Sequence, residues 1–319
     1  MKSIRLPDFK NKFVHSKPIQ YILHWSISHS IPGFHDVPVY DVINFLRKEI
    51  QREALITRAN AIAFSFFLSL FPIILVLFSL VAYLPISRTL YDIIHTNITE
   101  IMPGSAGEML VKTIGDVLLK PRGDLFSISF FLVIFFASNG MMMLMRGFEK
   151  SYHLTYHKRT EWQKRMVALG LTFVMGFLMV ASVILVILGN TLFRFVAEQL
   201  DFSTKSKILF GFVRWIVIIA LFYTVITTVY RYGASARKKF HFFSPGANLA
   251  TFLSLLTSVL FSFYVDNFGN YDKVYGSIAT IIVVMVWLQI NSFILLVGFE
   301  LNSSISVNRD LRTMKVENS

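Results

Sequence analysis

The chain has 319 residues, 54% of them hydrophobic and only 16% charged, against roughly 25% charged in an ordinary soluble domain. Thirty-two phenylalanines and a mean hydropathy of +0.58 point to a membrane protein, and the absence of cysteine excludes a disulfide framework, a thiolate metal site and a catalytic thiol. A net charge of +12 would suit a nucleic-acid binder, but its distribution along the chain gives it a different cause.

Residues 1–35 are polar, basic and poorly periodic, and read as a solvated tail. Four of the eight histidines fall there (His15, His24, His29, His35), without the spacing of a metal site. Asp36 before Val37-Pro38 is a helix start. Beyond it Val39, Val42, Ile43, Leu46 and Ile50 recur at three- and four-residue steps, with Asp41, Arg47, Lys48, Gln51 and Arg52 over much of the rest. Segment 36–57 is therefore predicted as an amphipathic helix in the membrane interface, its basic side toward anionic headgroups.

An apolar run of about 20 residues spans a hydrocarbon core of roughly 30 Å. Six such runs lie within 58–304: 61–84, 125–145, 166–188, 208–230, 247–264 and 277–299. The expected fold class is an all-α integral membrane protein with six transmembrane helices plus interfacial amphipathic helices. Pro72 removes a backbone donor inside the first span and is expected to kink it. The loop 85–124 carries a second amphipathic helix, predicted over 106–119 with Met109, Leu110, Ile114, Val117 and Leu118 on one side. Asn139, in the second span, needs a polar partner and is expected to face another helix rather than a ligand. Met141, Met142 and Met143 are expected to pack. The fifth and sixth runs, joined by the polar turn 266–273, form an antiparallel hairpin. Residues 305–319 read as a C-terminal tail. No cleavable signal peptide is expected, because the first apolar run begins near residue 60 after a basic segment. The interior has no strict GxxxG and hence no warrant for a glycine-mediated dimer, and oligomeric state is not legible. No internal repeat supports an inverted-repeat transporter.

Basic residues alternate strictly along the chain. Segments 1–60, 146–165, 231–246 and 300–319 hold 22 Lys and Arg, and the intervening loops hold 8. That excess places both termini in the cytoplasm. It also explains most of the positive charge, leaving nucleic-acid binding with little support.

Several spaced motifs occur in order. They are Ala61-Ile-Ala-Phe-Ser-Phe-Phe-Leu-Ser-Leu-Phe-Pro72, Pro245-Gly-Ala-Asn-Leu-Ala-Thr251, Tyr264, Phe268, Tyr271, Tyr275-Gly276-Ser277, Trp287 and Gly298-Phe-Glu-Leu-Asn302. From about residue 40 to 305 this pattern resembles the YihY/BrkB family of bacterial inner-membrane proteins, once loosely labelled ribonuclease BN. The resemblance implies a six-span bundle in a bacterial cytoplasmic membrane and brings no settled biochemical activity. Gln289 stands where the family commonly has tyrosine. Phe299 stands where it commonly has alanine, which would reshape any pocket near that end of span six.

No catalytic set is visible. There is no His-x-His-x-Asp-His, Walker loop or Gly-x-Ser-x-Gly elbow, and His153 with His157 lacks a third metal ligand. No cofactor is implied, and membrane lipids are the expected partners. The candidates for a site are ionisable groups in or near the hydrocarbon. Arg214 either snorkels to the outer interface beside Trp215 or binds an anionic group such as a lipid phosphate from an outward cavity. Glu300, ending span six where the helix dipole disfavours an anion, calls for a cation, with Arg146, Arg58 and Arg231 at its level. It would serve as a structural lock or as a proton- or substrate-coupled gate. Asn302 is expected to satisfy open carbonyls of that helix end. Tyr271, Tyr275 and Gly276 set the outer turn, where packing is favoured over ligand contact. The leading function is a transporter or flippase-like protein for a lipid or amphiphilic anion. The alternative is a structural or regulatory envelope protein, with an intramembrane enzyme a distant third.

Overall fold

A computed structural model describes residues 17–52, 55–83, 87–101, 105–120, 123–150, 152–199, 204–267 and 277–317. In order the helices are α1 (Lys17–Ser28), α2 (Val39–Arg52), α3 (Leu55–Val81), α4 (Ser87–Ile101), α5 (Ser105–Leu118), α6 (Gly123–Gly147), α7 (Glu161–Gln199), α8 (Thr204–Thr228), α9 (Pro245–Asn267) and α10 (Ser277–Glu317). No strand occurs among the described residues, only one isolated bridge between Tyr156 and Ala236. Six helices are long and apolar enough to cross a membrane: α3, α6, α7, α8, α9 and α10. The protein is an all-α membrane protein.

Helices α3, α6, α9 and α10 make the best-packed part of the bundle. Small residues permit it. A Cβ on Gly140 would lie 2.8 Å from the ring of Phe66, and one on Gly147 would lie 2.9 Å from Leu296. Between α9 and α10 the approach is closer still. A Cβ on Gly298 would meet the Gly246 carbonyl oxygen at 2.6 Å and Ala250 at 2.8 Å, so the two backbones touch where those residues cross. Met141 is buried in this core, with Met142 and Met143 packed against it. Helix α3 runs unbroken through Pro72, which is buried.

Several sequence expectations change. The interfacial helix does not present its apolar face to lipid alone. Val39 and Val42 are buried with Phe34, Val37 and Ile305, so α2 packs on α10. Its start also differs. Asp36 has φ 62° and lies in the turn before the helix, which begins after Pro38. The expected tail 305–319 is helical through Glu317 and continues span six without a break, with Ile305 and Val307 buried. This extension gives α2 its docking surface.

The loop 85–124 contains two helices rather than one, α4 and α5, packed on each other. Val111 and Leu118 are buried there while Met109 and Leu110 are exposed, so the inward face is turned from the expected one. Gly115 sets that face, because a Cβ on it would lie 2.8 Å from the Tyr91 ring.

Candidate functional site

One end of the bundle gathers α2, the segment after α6, the segment between α8 and α9, and the extension of α10. It holds most of the described cations, and we call it the basic end. Just past the end of α6, Lys150 turns its ammonium inward, and the side chain has no exposed surface. Its Nζ lies 2.7 Å from Glu300 Oε1 and 3.0 Å from Glu49 Oε2. Glu49 also accepts a hydrogen bond from Tyr152 Oη at 3.0 Å. Both carboxylates are almost wholly buried (Glu49 4%, Glu300 0% exposed). Helices α2 and α10, far apart in sequence, are thus pinned to the segment after α6 by one shared cation. Taking such charges out of water costs several kcal/mol each, so the cluster depends on mutual pairing.

Beneath it lies an aromatic plug. The rings of Phe148 and Phe299 stack at 4.4 Å, with Tyr156 and Phe240 edge-on to Phe299 at 6.3 and 6.1 Å. Phe299, which departs from the family's usual alanine, fills the space rather than opening a pocket. Tyr230, in a π-helical turn (Val229–Gly233) that ends α8, donates from its Oη to the Leu295 carbonyl at 2.7 Å. Burial pushes the Tyr156 hydroxyl well above the ordinary tyrosine range, and the nearby Glu300 and Asp310 push it the same way.

Beside the cluster opens a polar cavity of about 520 Å³. Its wall includes Arg58, Arg146, Lys150, Lys158, Arg159 and Lys164, with His153, His157 and Glu149. Two of these cations have exposed partners: Arg146 meets Glu161 at 3.0 Å, and Lys164 meets Glu161 at 2.7 Å and also Glu149. Arg159 donates to the carbonyls of Gly233 and Ala234 at 3.0 and 3.1 Å. The backbone bonds His157 to Ser235 and Arg237 to Thr155 close the loops around the rim.

The sequence candidates fall out as follows. Glu300 does have a cationic partner, but it is Lys150; Arg146 pairs with Glu161, Arg58 donates to the Gly147 carbonyl and Arg231 to that of Phe240. Nor does Glu300 end its helix, so the dipole has no bearing on it. Asn302 is likewise mid-helix and has no open carbonyls to satisfy. Its Oδ1 accepts from Gly246 N at 2.8 Å and its Nδ2 donates to Ser244 Oγ at 3.0 Å, so it caps the start of α9 from across the bundle. Asn139 faces α7, where Arg165 donates to it with its guanidinium 5.2 Å above the Phe135 ring. Arg214 lies in α8, and its side chain is outside the described ones; Tyr271, Tyr275 and Gly276 lie outside the described residues.

Sequence reasoning missed Glu49, Lys150 and Tyr152. Glu49 was visible: it follows Val42 by seven residues, Phe45 by four and Leu46 by three, on the apolar face of α2. A carboxylate in that position needs a buried partner. Lys150, beyond the end of a span, gave no such sign.

A family model described as Virulence factor BrkB matches residues 46–318. The chain belongs to the BrkB family. BrkB relatives include YfkH of Bacillus subtilis (strain 168), named as ribonuclease-like, 28% identical over 80% of this chain and 91% of its own length. UPF0761 membrane proteins of Haemophilus influenzae and Vibrio parahaemolyticus are 23% and 24% identical, over 77% and 82% of this chain and 88% and 81% of their own lengths. No solved structure matches the chain. The match to the BrkB family takes in every residue of the buried cluster, Glu49, Lys150 and Glu300, and the whole cavity wall.

Proposed function

We propose that this BrkB-family protein is a transporter or flippase-like protein for a lipid or amphiphilic anion, and that it catalyses no covalent reaction. The observation that carries the reading is the cation-lined cavity of about 520 Å³ next to the buried Glu49–Lys150–Glu300 cluster. Ionisable groups withdrawn into a membrane bundle are costly, and those beside a polar cavity mark substrate or ion routes. The protein is placed in the bacterial cytoplasmic membrane, with the basic end and both termini on the cytoplasmic side; the excess of Lys and Arg in those segments supports that orientation. The ribonuclease-like name of YfkH is not carried over. Metal-dependent hydrolysis needs converging carboxylate or imidazole ligands, and among the described residues no group of three or more such side chains could hold an ion.

The test is lipid exchange in proteoliposomes. Headgroup-labelled anionic and neutral lipids are followed with a membrane-impermeant quencher, for wild type and Glu300→Gln. Faster exchange of the anionic lipid, reduced by Glu300→Gln, is expected. Exchange no faster than in protein-free vesicles overturns the proposal. That result would favour the second reading, a structural or regulatory envelope protein. The aromatic plug around Phe299 supports that alternative, because it fills the space between the helices there with buried rings.

A further inference from the structure

The charges around the cavity do not balance. Lys164 and Arg146 are met by Glu149 and Glu161, and Lys150 by Glu49 and Glu300. Arg159 and Lys158 differ, since among the described residues no carboxylate lies within ion-pair distance of either. Arg159 is half-buried, and its two carbonyl bonds fix the guanidinium without neutralising it. Burial pulls its pKa down from the ordinary arginine value. The guanidinium has five N–H donors, so it can hold further acceptors beyond those carbonyls. His153 and His157 add imidazole nitrogens to the same wall.

We propose that this cavity binds a phosphate-bearing group with two or more negative charges, a phosphomonoester or a pyrophosphate, carried by a lipid headgroup or free in solution. Arg159 supplies fixed, directional donors, and Lys158 supplies a mobile point charge. A carboxylate with a single charge leaves one of the two cations uncompensated. The inference rests on the transport reading for its biological role, while the binding itself is separately measurable.

The experiment uses the full chain in phosphatidylcholine nanodiscs, titrated calorimetrically with sodium pyrophosphate. A second arm adds phosphatidic acid to the nanodisc and counts retained lipid by native mass spectrometry. Lys158→Glu alters an exposed side chain and keeps the fold, and Arg159→Gln is compared with it after thermal unfolding shows that it is folded. Binding of either probe, weakened about tenfold or more by Lys158→Glu, supports the site. Pyrophosphate binding that phosphatidic acid does not compete for identifies a soluble ligand. Phosphatidic acid retained in preference to phosphatidylcholine, with no pyrophosphate binding, identifies a headgroup. Binding of neither probe, or equal binding by wild type and Lys158→Glu, overturns the proposal. If phosphate binds but lipid exchange stays at the protein-free rate, the transport reading falls and the site stands. Exchange without binding of either probe gives the reverse.

Discussion

The basic end and the outward stretch of α7 are built to opposite rules. At the basic end, buried charges, a cross-bundle cap and touching backbones leave little room for change. Along α7, Phe173, Phe177 and Met179 are exposed, and Gly170 and Gly176 have nothing within 4 Å of where a Cβ would be. A surface facing lipid needs only to be apolar, whereas a polar interior must pair every group it withdraws from water. The contrast locates specificity in the buried polar end and tolerance along the exposed face of α7.

The largest test of this contrast is Lys150→Met. It strands two buried carboxylates and should cost about 3–5 kcal/mol, read as loss of folded protein or a large fall in Tm. Adding Glu49→Gln and Glu300→Gln to the same chain should recover much of the loss; if Lys150→Met alone is harmless, the cluster is not holding the end together. Next comes the glycine pair. Gly298→Ala pushes a methyl into the Gly246 carbonyl and should cost about 1–3 kcal/mol. Gly176→Ala should be neutral or stabilise by up to about 1 kcal/mol, and equal losses from the two would erase the distinction between the regions. Asn302→Ala leaves the Gly246 amide without its acceptor and should cost about 1–2 kcal/mol, with the amide exchange of Gly246 as the specific readout.

The smallest effect concerns acid. Burial lowers the His35 pKa, and Arg309 and His241 lower it further. The unfolded chain therefore holds a proton that the native chain releases. Stability should fall as pH drops below about 6.5 toward the lower native value, and level off beneath it. His35→Gln should flatten that segment of the Tm-against-pH curve. An unchanged slope assigns the acid sensitivity to other groups.

The six spans were legible because hydrocarbon imposes length and apolarity on any helix that crosses it. The site was legible only in part. Glu300 was expected to need a cation because it was read as ending its helix; the helix runs on, and the need comes instead from complete burial. Which cation supplied it depended on how the chain turns after Gly147, and no local pattern encodes that turn. Asn302 was mistaken for an end cap because hydropathy falls near residue 300, although the helix continues. Loss of hydropathy marks where lipid ends, and a helix can go on wherever another element covers it. Here α2 does so, and Arg312 ties the two by donating to Asp41 Oδ2 at 2.8 Å and to the Asp36 carbonyl at 3.2 Å.

That tie orders events during synthesis. Helix α2 leaves the ribosome well before α10, yet the surface that receives Val39 and Val42 belongs to α10. Glu49 and Lys150 can meet in a nascent chain, but Glu300 joins them only once α10 has been made. A chain stopped short of residue 300 keeps an apolar N-terminal face and an incomplete charge cluster at the membrane surface.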